Sequence, residues 1–432
     1  MRDGGRLSAA IEVLEEIENR RQPVQEALKD WGKSHRFAGS GDRVAIGNLV
    51  FDGLRHKLSY AHRMKSESAR AIALATYCFG WCNSVEKLEE VLSGDPHAPS
   101  ALSDEEREAL RGDLSAVEDA ADFVKADIAE WLWPYFAQNF GEEAVDVGRS
   151  LSLRAPIDLR VNLIKSNREK LLKRLSHLNA EACEVSPVGL RLEPVTGPRK
   201  SPHVQAEEGF RKGWFELQDE ASQIAGVLVG AQPGEQVLDL CAGGGGKSLA
   251  LAGQMDNKGQ IYAFDSNKLR LAPLYERMAR AGVRNIQVID PATGSLDKLE
   301  GRMDRVMVDA PCSGTGVWRR RPDTKWRVTP NALEGRVEDQ KTVLDNATRF
   351  VRVGGVLVYA TCSLLPVENQ DQVSAFLARH PEFRQVDMAP AWEATFGAVE
   401  RKPIVGEGGH LTLTPYHTHT DGFFIAMFER VS

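Results

Sequence analysis

Residues 236–265 read "QVLDLCAGGGGKSLALAGQMDNKGQIYAFD": an apolar strand, a four-glycine turn, a helical stretch and a second strand. No other feature limits the fold as much. A strand that enters a glycine turn and a helix before the next strand makes a βαβ unit, and βαβ units build a parallel sheet. The alternation continues, with apolar runs at 285–290, 304–310, 354–362 and 422–430 separated by helical patterns. The fold class expected for residues 214–432 is α/β, a Rossmann-like domain with a mainly parallel sheet.

The glycine turn admits two readings. Gly246, Lys247 and Ser248 could end a P-loop, G-x-x-x-x-G-K-[ST], but its first glycine would fall at Cys241. A P-loop-like NTPase is therefore the weaker alternative. The other reading is a cradle for a nucleoside-type cofactor, where missing side chains let backbone approach the ligand. It requires an acid at the end of the next strand to accept ribose hydroxyls, and Asp265 stands there. Asp290 and Asp309 end the two strands that follow. Open α/β sheets bind ligands beyond the carboxyl ends of their strands, so three successive terminal aspartates point to one crevice.

Two thiols share that edge. "VDAPCSGTGVWRRRPDTKW" (308–326) carries Cys312 just past Asp309, and "LVYATCS" places Cys362 at the end of the next strand. A lone cysteine is most often a small buried apolar residue. Two of them at one rim, beside a carboxylate, suit chemistry on a pyrimidine. A thiolate adding to C6 turns the inert C5 into an enamine-like carbon that can attack an electrophilic methyl group, and a base then removes the C5 proton. Asp309 can hydrogen-bond the base's exocyclic amine and ring nitrogen. Position alone leaves the choice between Cys312 and Cys362 as the nucleophile open.

Elsewhere the texture differs. Residues 1–140 show apolar spacing of three and four, as in "LSAAIEVLEEIE", and predict a helical domain, with Ser103 and Asp104 as caps after the turn-rich "SGDPHAPSALSD". "WLWPYF" (131–136) reads as core or domain interface. Residues 141–213 mix a strand-like "APIDLRVNLIK", an amphipathic helix and proline-rich loops, which predicts a small α+β module and linker. No run approaches the roughly 18 apolar residues of a membrane span. Six scattered cysteines form neither a disulfide framework nor a metal knuckle, so a reducing cytoplasm is the expected compartment and no metal is expected. His410, His417 and His419 are expected in a loop without a metal role. Net charge is −7, yet residues 86–130 hold 14 acids and 4 bases, so the rest of the chain sums to +3. Nucleic acid thus remains open as a partner.

With "CAGGGGKS", "DAPCSGTG", "RRRPDTKW", "YATCSLLPVEN" and "TDGFF" in view, the chain resembles the Sun/Nop family of RNA cytosine-C5 methyltransferases, in its bacterial RsmB-like ribosomal RNA branch. The resemblance runs over nearly the whole chain. It implies a class I methyltransferase domain, a NusB-like helical RNA-binding domain at 1–140, and an RNA-positioning module at 141–213. S-adenosylmethionine would be held by Cys241, Ala242, Gly243, Gly244, Gly245, Gly246 and Lys247 with Asp265, Asp290 and Asp309. Cys362 would be the nucleophile, Cys312 would assist product release, and Lys247 and Asp309 would support substrate activation. The substrate implied is 16S ribosomal RNA rather than DNA, handled by a monomer with no membrane partner. Where the family commonly has alanine then proline, this chain has Gly243 and Gly244, which should alter affinity rather than remove a functional group. Arg319, Arg320, Arg321 and Lys325 border the catalytic loop and are expected to meet RNA phosphates. Trp326 could stack on a base or simply pack, and Asp323 is expected to orient an arginine. A non-catalytic RNA-binding adaptor is the remaining alternative.

Overall fold

The computed structural model describes residues 1–293, 295–397 and 399–432, which divide into two units. The first comprises Met1–Ala155, Pro194–Ser201 and Trp318–Val328. Its helices Asp3–Arg20, Val24–Ser34, Ser40–Arg55, Lys57–Met64 and Ala69–Ala75 close on a core that includes Leu7, Leu14, Leu49, Leu54, Tyr60, Ile72 and Leu74. Leu7, Ala10, Val13, Leu14 and Ile17 recur at the helical period, which is why one face of the first helix is buried. Ser103 caps helix Asp104–Leu110 in a reciprocal box with Glu106, so Asp104 is the first helical residue rather than a second cap. Helices continue to Leu151, past the expected boundary at 140.

Residues 318–328 also belong to this helical unit, which no periodicity announced. Trp318 is fully buried and stacks on Phe136, with ring centroids 5.6 Å apart. Trp326 Nε1 donates to the Leu54 carbonyl at 2.7 Å, and Arg55 Nη2 donates to the Arg319 carbonyl at 2.8 Å. Trp326 is thus a packing residue. Phe136 and Leu132, both fully buried, give "WLWPYF" the core role expected of it.

The second unit comprises Pro156–Glu193, Pro202–Val317 and Thr329–Ser432. It holds two sheets. The smaller is antiparallel: β1 (Ile157–Val161), β2 (Glu181–Ala182), β3 (Gly189–Leu192) and β4 (Phe215–Leu217) lie in the order β2-β3-β1-β4. The larger contains β5 (Gln236–Asp239), β6 (Gln260–Phe264), β7 (Ile286–Ile289), β8 (Met303–Asp309), β9 (Val351–Thr361), β10 (Phe383–Val386), β11 (Ile404–Val405), β12 (Leu411–Leu413) and β13 (Phe423–Arg430). Its order is β11-β12-β13-β9-β8-β5-β6-β7, with β10 also paired to β13. Strands β5 to β9 are mutually parallel, and β13 runs antiparallel beside β9. The order reverses at β5, where β6 lies on one side and β8 on the other, and ligands collect at such a switch point. The stretch around His410 and His417, expected as loop, instead includes β12 and a helical turn, Pro415–Thr418. β12 was illegible because three residues are too few to show a period.

Candidate functional site

β5 delivers the chain into the glycine turn and helix Gly246–Gln254. Gly245 has φ +76°, and a Cβ there would lie 2.2 Å from Leu274 Cδ1, so only glycine fits. Gly243 also has positive φ, at +51°. An open cleft of about 250 Å³ follows the turn. Cys241, Ala242, Gly243, Gly244, Gly246, Lys247 and Asp309 line it, as the sequence led one to expect, together with Asp239, Arg270 and Arg277. Lys247 is buried, with Nζ 2.6 Å from Asp309 Oδ2 and 4.9 Å from the Phe423 ring.

Asp265 and Asp290 stand at their strand ends but do not line this cleft. Asp265 is buried and accepts from the backbone N–H groups of Gly243 (3.0 Å) and Asn267 (2.9 Å), with Arg270 Nη1 at 3.2 Å. Its carboxylate shapes the glycine turn. Asp290 pairs with Lys268 and accepts from Ala292 N–H at 2.9 Å, and the Lys268 contact holds its carboxyl below the usual range.

Asp239 is a residue that sequence reasoning missed. It is buried at the end of β5, Ser248 Oγ donates to its Oδ2 at 2.6 Å, and Oδ1 has no hydrogen-bond partner. Burial pushes its carboxyl up to about 6, reinforced by the charge of Asp309 and opposed by the Ser248 bond. An acid inside the apolar "QVLDL" was the available signal. Burial and the neighbouring Asp239 also push the Cys241 thiol far up, which removes it as a nucleophile. Lys247 and Ser248 are committed to Asp309 and Asp239, whereas a P-loop turns its lysine and hydroxyl toward phosphate and metal.

The two thiols meet. Asp309 of β8 is in register with Ala360 of β9, which brings the residues following both strands together. Cys312 Sγ lies 3.4 Å from Cys362 Sγ, and Gly316 N–H donates to the Cys362 carbonyl at 2.9 Å. The sulfur contact is the first cause, and burial the second, that pushes the Cys312 thiol well up. In that contact either sulfur can donate its S–H to the other. Glu368, also missed, lies fully buried against the residues that follow both thiols, where Ser313 N–H donates to Oε1 at 2.7 Å.

The basic run is divided by burial. Lys325 is 1% exposed, with Nζ 3.0 Å from Ser152 Oγ, and Arg319 is 5% exposed. Both sit inside the helical unit, and this corrects the expectation that they face phosphates. Arg320 is half-buried and Arg321 exposed. Asp323 pairs with Arg327 at 3.2 Å, the arginine-orienting role expected. Among the described residues no group of three or more His, Cys, Asp or Glu side chains is arranged to hold a metal, and no helix is long and apolar enough to cross a membrane.

Comparison with known proteins adds the following. A family model described as 16S rRNA methyltransferase RsmB/F matches residues 227–429, and an RsmF/B-like ferredoxin-like domain matches residues 128–196. The chain is 33% identical over 307 residues to a probable ribosomal RNA small subunit methyltransferase B of Synechocystis sp.. That alignment covers 70% of this chain and 66% of the relative. It is 31% identical over 313 residues to ribosomal RNA small subunit methyltransferase B of Pseudomonas putida, covering 72% and 68%. The crystal structure of a methyltransferase homolog protein from Pyrococcus horikoshii superposes with a TM-score of 0.59 at 25% identity, over 72% of this chain and 97% of that one. The chain spans about two thirds of the length of the curated relatives it matches.

Proposed function

The chain belongs to the RsmB/F family of methyltransferases, and on that premise we propose that it methylates C5 of a cytosine in 16S ribosomal RNA, using S-adenosylmethionine. The observation that carries the reading is the 3.4 Å contact between the sulfurs of Cys312 and Cys362 at the ends of adjacent strands. Asp309, three positions before Cys312, lines the glycine-turn cleft.

The cleft suits the cofactor. Side-chain-free backbone at Gly243, Gly244 and Gly246 admits close approach, and the orphaned Asp239 Oδ1 is a buried acceptor awaiting a donor. Cys241 to Lys247 with Asp239 and Asp309 would hold it, and Asp265 would act by fixing the turn. S-adenosylmethionine supplies an electrophilic methyl group when bound.

Everything else falls to the protein. Cys312 gives the Cys362 sulfur a thiol partner at 3.4 Å, and Cys362 reacts as its thiolate. That thiolate adds to C6 of the cytosine, and C5 becomes nucleophilic. The Asp309 carboxylate, held by Lys247, accepts from the exocyclic amine of the base. After methyl transfer a base takes the C5 proton, and the electrons of that C–H bond expel the Cys362 sulfur from C6 as thiolate, which restores aromaticity and leaves the sulfur beside Cys312. The cytosine must be unpaired to reach the thiol, because C5 and C6 are inaccessible within a helix. Arg320 and Arg321 would contact phosphates of that strand.

The test is transfer of a labelled methyl group from S-adenosylmethionine to 16S ribosomal RNA, with 5-methylcytosine as the product. Cys362→Ala should reduce transfer to background while cofactor affinity persists. Turnover retained in that variant would reject Cys362 as nucleophile, and absence of cofactor binding in the parent would reject the reading as a whole.

A further inference from the structure

The mechanism above gives no task to Glu368, yet its carboxylate is fully buried, has four donors and, among the described residues, no cationic partner. Ser313 N–H donates to Oε1 at 2.7 Å and Gln340 Nε2 donates to the same atom at 3.0 Å. The hydroxyls of Ser313 and Ser363 both donate to Oε2. Ser313 follows Cys312 and Ser363 follows Cys362. One carboxylate therefore ties together the residues after the two thiols. Gln340 extends the clamp, since its Nε2 also donates to the Pro311 carbonyl at 2.9 Å, so the backbone is held on both sides of Cys312. The turn that carries Glu368 is itself fixed to β9: Tyr359 OH donates to the Glu368 carbonyl at 2.6 Å, and Thr361 Oγ1 donates to Asn369 Oδ1 at 2.6 Å.

We propose that Glu368 is a positioning residue for the methyl-transfer site, acting through Ser313 and Ser363 to hold the Cys312 and Cys362 sulfurs in contact. The inference rests on the function proposed above but concerns geometry that can be measured without RNA or cofactor. A buried carboxylate satisfied by neutral donors is stiff, because moving it would leave several donors unpaired at once. Four polar groups spent on one anion are more than strand-end packing requires, and they converge on the two positions next to the sulfurs. Groups that orient metal ligands change affinity or activity by about 10–100-fold when removed, and a group that orients two reacting thiols is expected to act on the same scale.

The experiment uses the full chain and the thiol oxidant diamide, which takes up the two thiol hydrogens as the Cys312–Cys362 disulfide forms. The rate of that disulfide, read by mass spectrometry, reports how often the sulfurs meet. Glu368→Ala should slow it at least about tenfold, with S-adenosylmethionine affinity unchanged. Should that variant fail to fold, Ser313→Ala and Ser363→Ala each remove one tether, and each should slow the disulfide several-fold. In single-turnover methylation Glu368→Gln should lower the rate constant while leaving the RNA concentration dependence in place. Disulfide rates within twofold of the parent in every folded variant would overturn the proposal. A parent that crosslinks with this dependence yet never methylates RNA would instead overturn only the function proposed above.

Discussion

Replacing Asp239 by Asn should make the protein more stable at neutral and alkaline pH, and the gain should disappear in acid. The carboxyl rises from its ordinary 3.8 to about 6, chiefly through burial. Its charged form is thus disfavoured in the folded state. The stability associated with this group is fully present below pH 3.8 and is lost as pH rises through about 6. Once ionised it costs about 3 kcal/mol, at 1.36 kcal/mol for each tenfold change in the proton equilibrium. Asn keeps an acceptor for the Ser248 hydroxyl and never ionises. Roughly 2 kcal/mol of the difference between the two proteins should develop between about pH 4.5 and about pH 8, in favour of Asn. Guanidinium unfolding of both proteins at matched pH measures it. The same substitution should weaken S-adenosylmethionine binding, since a site that keeps a costly buried charge for its ligand trades stability for function. A stability difference that does not change with pH, or that changes in favour of Asp as pH rises, would refute the reasoning.

Two further outcomes follow from packing and burial. A Cβ at Gly316 would lie 2.1 Å from the Gly422 carbonyl oxygen, and backbone cannot yield as a side-chain tip can. Gly316→Ala should therefore cost about 1–3 kcal/mol by thermal unfolding. It should also slow methyl transfer, because Gly316 N–H holds the Cys362 carbonyl. Arg321→Ala should lower the slope of log RNA affinity against log salt by about one, whereas Lys325→Met, at a site 1% exposed, should leave that slope unchanged.

The sequence disclosed the parallel sheet because β5, β6, β8 and β9 are apolar runs bounded by glycine or aspartate, and such runs need both faces covered. The glycine turn and the two thiols were legible for the same reason: each sits at a strand end, where alternation with helices fixes the edge of the sheet. Asp239 and Glu368 escaped notice because their importance is burial, and burial depends on what packs across from them. Lys325 was misjudged on similar grounds. In the sequence it belongs to a basic run, and only tertiary packing places its ammonium beside Ser152. Strands β11 and β12, with two and three residues, are too short to display a period of two.

The most direct measurement is to incubate the Cys312→Ala protein with S-adenosylmethionine and 16S ribosomal RNA, digest both polymers, and locate the crosslinked peptide by mass spectrometry. The account predicts a nucleotide joined to the peptide that contains Cys362, with a methylated cytosine attached through C6. A nucleotide joined elsewhere, or a methylated product that forms without passing through any bond to this sulfur, would contradict it.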